Sequence, residues 1–129
     1  MSGVRRFGSI VFAVLRVGAG LLFMEHGVQK VFGLLGGFGG PGQTAVLASR
    51  FGAAGVLECV GGLLLIVGLF TRPVALVLLL EMLVAFATVH FPQGGSPMQN
   101  GGELALLYAL IFTVLLVHGA GPFSIDNRR

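Results

Sequence analysis

Four apolar runs fill most of this chain: Val4 to Phe32, Phe51 to Phe70, Pro73 to Phe91, and Glu103 to about His118. Crossing the hydrocarbon core of a bilayer takes roughly 20 apolar residues of helix. Inside that core each backbone N–H and C=O must be bonded within the protein, and unbroken apolar runs of this length meet that demand as helices. Charged residues are only 10% of the sequence, against about a quarter in a soluble domain. The chain therefore reads as an all-α polytopic membrane protein, a four-transmembrane-helix bundle forming one domain over residues 1–129. Arg5-Arg6 before an apolar run admits a cleaved leader, with Gly18-Ala19-Gly20 as the cleavage site. Arg16, a charge in the middle of that run, favours a retained helix.

The connections are short. Gly33 to Gly42 holds six glycines and a proline and reads as a flexible connection. Gln43 to Phe51 is either a short surface helix or an early start of the second span. Pro92 to Gly102 is an uncharged turn rich in Gly, Pro and Asn, and Gly119-Ala-Gly-Pro122 ends the last helix. A net charge of +3 with a pI near 10 invites a nucleic-acid reading, but the eight Lys and Arg bracket the runs and form no patch. No nucleic-acid partner is expected; the lipid bilayer is. Arg5, Arg6, Arg72, Arg128 and Arg129 fall on one side of the spans, and Lys30 and Arg50 on the other. The excess of basic residues puts both termini in the cytoplasm. Cys59 stands alone, which excludes an intrachain disulfide and a Cys-x-x-Cys pair, and it reads as a small packing residue.

Ionisable groups inside spans are costly, about 2.5–3.5 kcal/mol each at mid-depth, and are functional candidates by default. Counted from Arg6 and Arg72, Arg16 and Glu81 fall at mid-depth and are expected to form a structural ion pair. Glu25, His26, Lys30, Glu58, His90 and Glu103 gather toward the outer end. Glu58 precedes Gly61 and Gly62 on one helix face, where glycines admit a close neighbour. His26 and Lys30, four apart, share a face suited to a ligand. The sharp expectation is a proton-handling or quinone pocket of Glu58, His90 and Glu103. Plainer roles compete: Glu103 as a charge at the start of the fourth helix, His90 bonding the Gly94-Gly95 turn, and His118 at the interface. No metal is assigned, since the Glu-x-x-His pairs of di-iron bundles are missing.

The residues resemble the DoxX family of small four-helix membrane proteins. The likeness is carried by Arg16 and Gly27-Val-Gln-Lys30, by Glu58-Cys-Val-Gly-Gly62 with Gly68-Leu-Phe-Thr-Arg72, and by Met82-Leu-Val-Ala85 with His90. Gly101-Gly-Glu103-Leu-Ala-Leu and Gly119-Ala-Gly-Pro-Phe-Ser124-Ile-Asp126 complete it. The resemblance implies four membrane helices in a bacterial or archaeal cell membrane. The family is named for a small subunit of a thiosulfate:quinone oxidoreductase, so it also implies a membrane subunit of a redox system with quinone as the electron carrier. A second reading stays open: a non-catalytic anchor or accessory subunit whose intramembrane charges are structural. Either reading expects other protein subunits or further copies of the chain as partners.

Overall fold

The computed structural model describes residues 3–46 and 49–128. Arg129, one of the basic residues counted for orientation, and Leu47 and Ala48, in the segment between the first two spans, lie outside the described residues. Helix is the regular structure among the described residues, and there is no strand. Two compact units divide the chain, Met1–Phe70 with Ala120–Arg129, and Thr71–Gly119.

The first unit holds α1 (Gly3–Phe32), α2 (Arg50–Val67) and a C-terminal segment ending in the 3-10 turn Asp126–Arg128. Ser49 starts α2 as its N-cap, its hydroxyl accepting from the Gly52 N–H at 3.2 Å. The two helices run antiparallel and touch backbone to backbone. A Cβ on Gly20 would lie 2.7 Å from the Gly62 carbonyl, and one on Gly62 would lie 2.6 Å from the Gly20 carbonyl. Seven residues along, a Cβ on Gly27 would lie 2.5 Å from the Cys59 nitrogen and 2.6 Å from the Gly55 carbonyl. Gly20 thus faces Gly62, and Gly27 faces Gly55. Two glycines per helix, two turns apart, fix the register.

That register sets the end of α2 level with Arg16, so the first dozen residues of α1 run on past it. Relative to α2, Arg16 lies at that helix's last turn. At 30 residues, roughly 45 Å, α1 is longer than a bilayer core needs.

Between α1 and α2 the glycine-rich connection is built rather than slack. Ala45 N–H donates to the Lys30 carbonyl at 2.7 Å, Phe38 N–H to the Gln43 carbonyl at 2.8 Å, and the Phe38 and Phe51 rings lie 5.5 Å apart. Gly33 (φ 70°) and Gly37 (φ 74°) close this turn where any side chain would strike the Gly42 or Gly40 carbonyl.

In the second unit, α3 (Thr71–Ala85) continues through a π-helical turn, Phe86–His90, and a 3-10 turn, Phe91–Gln93. Pro92 accounts for the change. It has no N–H for the Thr88 carbonyl and its ring crowds that position, so the ladder widens and Phe91 N–H reaches Phe86 O. The short α4 (Pro97–Asn100) lies in what reads from sequence as a plain turn, and α5 (Glu103–His118) follows. Thr71, Ala75, Leu78 and Met82 of α3 are buried, as are Ala105, Tyr108, Ala109, Phe112 and Leu115 of α5. Both sets follow the helical period of a packed face.

Large apolar side chains, among them Val14, Val60, Leu80 and Leu110, point outward from every long helix. Such surface belongs against lipid. Gly3–Phe32, Arg50–Val67 and Thr71–Gln93 are long and apolar enough to cross a membrane, and Glu103–His118 is a shorter apolar helix of 16 residues.

The glycine contacts generate a contrast between two substitutions. Gly27→Ala must push α1 from α2 and should cost about 1–3 kcal/mol. Gly18→Ala enters open space and should be neutral or stabilising by up to about 1 kcal/mol. Unfolding in mixed micelles, followed by circular dichroism, measures both; equal effects would contradict the register.

Candidate functional site

Where the glycine seam brings α1 and α2 together, the first unit buries two charged groups of opposite sign. Lys30 Nζ lies 2.6 Å from Glu58 Oε1, with the two side chains 16% and 2% exposed. The lysine stem reaches the carboxylate across Gly55, where an added Cβ would lie 2.9 Å from Lys30 Cβ. Cys59 packs over Gly27, its Sγ 2.7 Å from where that Cβ would stand. Sequence reasoning placed Lys30 and Glu58 at the same end but did not join them. The missed signal is the matched spacing of Gly20 and Gly27 with Gly55 and Gly62. His26, one turn before Lys30, is half-buried with its ring 6.4 Å from that of Phe23.

Arg16, 2% exposed, occupies the other end of the α1–α2 contact. Its Nε donates to the Leu65 carbonyl at 2.9 Å, and Nη2 to Ile66 at 3.4 Å and Phe123 at 2.9 Å; Nη1 donates to the Ala120 carbonyl. The C-terminal segment completes this arrangement. Ile125 N–H donates to Val67 O at 3.1 Å, Asp126 N–H to Gly68 O at 2.9 Å, and Asp126 Oδ1 accepts from Phe70 N–H at 2.8 Å. Leu64 O takes the Gly68 N–H. Every carbonyl from Leu64 to Gly68, at the negative end of the helix, thus has a donor, and a cation supplies two of them. The Arg16–Glu81 pair expected from sequence would join one residue of each unit. Arg16 binds as just described, and Glu81 lies half-buried on α3.

Of the pocket expected from Glu58, His90 and Glu103, the first belongs to one unit and the other two to the second. His90 is half-buried at the end of the π-helical turn, 6.4 Å from the Phe86 ring, with Nδ1 3.3 Å from the Asn100 carbonyl. Its partner is therefore Asn100 rather than the Gly94-Gly95 turn. Asn100 is 4% exposed; its Nδ2 donates to Gly94 O at 2.7 Å and its Oδ1 accepts from Gly102 N–H at 2.8 Å. Sequence reasoning passed over this residue, although an asparagine followed by two glycines is a turn-former by type. Glu103 is exposed at the first position of α5, and no hydrogen bond joins it to His90. Among the described residues no three of His, Cys, Asp and Glu converge as a metal site requires.

The fold and its buried charges define a small all-helical membrane protein. The DoxX family pattern matches residues 11–91, and the chain belongs to that family. An uncharacterised protein of Haemophilus influenzae is 38% identical over 99% of this chain and 97% of its own length. The Bacillus subtilis "putative oxidoreductase CatD" is 30% identical over 88% of this chain and 82% of its own. The uncharacterised membrane protein Rv3486 of Mycobacterium tuberculosis is 32% identical over 88% and 78%. No solved structure matches.

Lys30→Met should cost about 3–5 kcal/mol, because it leaves the Glu58 carboxylate buried and uncompensated. Adding Glu58→Gln should recover most of that loss, and a double-mutant cycle on folded yield measures the coupling. Simple addition of the two single effects would show that the pair is not coupled.

Proposed function

We propose that this protein is a small membrane subunit of a redox system, facing quinone, in which Glu58 and Lys30 handle protons. One observation carries the reading: a buried carboxylate 2.6 Å from an ammonium group, on facing helices of apolar spans. A paired acid and base held away from water is an arrangement suited to proton transfer. The oxidoreductase name of the Bacillus subtilis relative and the quinone link implied by the family resemblance support the same direction. Reduction of a quinone to its hydroquinone consumes two electrons and two protons. The electrons come from a partner oxidoreductase subunit, and Glu58 passes protons from bulk water to the reduced oxygen. Oxidation of sulfur compounds by that partner is one source of electrons consistent with the resemblance.

The discriminating experiment is Glu58→Gln in the complex purified in mild detergent. Quinone-linked turnover per folded complex should fall about a hundredfold or more, the range of a lost acid–base group. Folded yield falls as well, because Lys30 is left without its partner, so turnover is referred to folded protein. If turnover survives the substitution, the pair is structural and the protein is an anchor or accessory subunit.

Both termini lie in the cytoplasm in this reading, following the basic residues flanking the spans. A cysteine placed at Asn127, on a background with Cys59→Ala, should resist an impermeant thiol reagent applied to intact cells. Labelling from outside would reverse the orientation.

A further inference from the structure

We infer that neutral His90 carries its proton on Nδ1 and offers the Nε2 lone pair to a hydroxyl donor, with Asn100 as the positioning residue. The first step is elementary. The Asn100 carbonyl oxygen only accepts, so a favourable contact at 3.3 Å needs the proton on Nδ1. With a lone pair on Nδ1 instead, two acceptors would face each other. The hydrogen bond made by one ring nitrogen fixes what the other can do, so the remaining nitrogen is the acceptor.

The second step is that the carbonyl is held in place. It closes the four-residue α4, whose final C=O groups have no partner within the helix. Asn100 is clamped by its own amide, bonded on one side to Gly94 O and on the other to Gly102 N–H. Gly101 (φ 75°) makes the turn between them. Gly102 lies against Phe86, where an added Cβ would come within 2.6 Å of the ring. Phe86 opens the same π-helical turn that His90 closes. Ring, carbonyl and turn therefore constrain one another within the second unit.

The third step concerns the ligand. His90 stands near the end of the apolar segment Thr71–Gln93, half-buried and beside the Phe86 ring. A molecule that reaches it is an amphiphile with an apolar body and a hydroxyl head at the membrane interface. A hydroquinone has that form, and its O–H donates to Nε2. This part rests on the quinone-facing reading given above; the tautomer does not.

Nitrogen-15 NMR of histidine-labelled protein in lipid nanodiscs decides the matter, since the chain has only three histidines. His90→Gln assigns the signal. The wild-type protein should show pyrrole-type Nδ1 and pyridine-type Nε2 at neutral His90. Asn100→Ala should shift the majority to the opposite tautomer; should that variant fail to fold, the wild-type spectrum still decides. Titration with a short-chain hydroquinone should move the His90 Nε2 resonance and leave His26 and His118 in place. A protonated Nε2 in the wild-type protein overturns the tautomer and the role of Asn100. A His90 signal indifferent to hydroquinone overturns the ligand. Loss of turnover in Glu58→Gln with an unresponsive His90 would reject this inference alone, and an intact turnover with a responsive His90 would reject the proton role of Glu58 alone.

Discussion

A cation in a helix that crosses lipid has to be neutralised by the chain itself, and α1 carries two of them on the face it turns toward α2. Lys30 meets a carboxylate, and Arg16 meets the carbonyls that end a helix. The two solutions differ in kind. One is an ion pair whose members are useless apart, since either alone is an uncompensated charge. The other spreads a guanidinium over neutral oxygens that would otherwise lack donors, with the helix dipole in the same sense. Both need the helices at backbone distance, which Gly20, Gly27, Gly55 and Gly62 permit. Burial of charge and close packing are in this way one constraint. A bulkier seam would part the helices and strand both cations.

The C-terminal segment follows from the same requirement. Arg16 covers Leu65 and Ile66, and the backbone of Ile125 and Asp126 supplies the donors for Val67 and Gly68. Gly68, in the left-handed conformation that ends α2, leaves room for Ser124, which a side chain there would strike. This explains in physical terms why a polar Ser-Ile-Asp stretch sits with the first two helices despite lying at the far end of the sequence.

Helices were the legible part of the sequence, because apolar length and the hydrogen-bonding demand of lipid leave no alternative. Candidate residues were legible as types, since ionisable groups stand out in apolar runs. Their partners were less so. Depth counted along a single helix does not show that Arg16 meets the end of α2, because nothing in α1 marks where its neighbour stops. Lys30 and Glu58 were assigned to one end, yet joining them needed the glycine register, which appears only when two helices are read against each other. The glycine-rich connection looked slack because composition reports conformational freedom, whereas its order depends on Ala45 bonding back to Lys30. Likewise, Pro92 widens the helix before it through a missing donor, and Asn100 acts through contacts made across its turn.

The central claim is that Lys30 and Glu58 form the buried pair on which the α1–α2 hairpin rests, and a zero-length cross-link tests it most directly. Lys30 is the sole lysine of the chain, so a membrane-permeant carbodiimide has one side-chain amine to couple. Peptide mass spectrometry should find an amide joining Lys30 to Glu58, absent in the Glu58→Gln variant. Lys30 joined to Glu25 or Glu103 instead, or Glu58 modified by the reagent with Lys30 left free, would contradict the account.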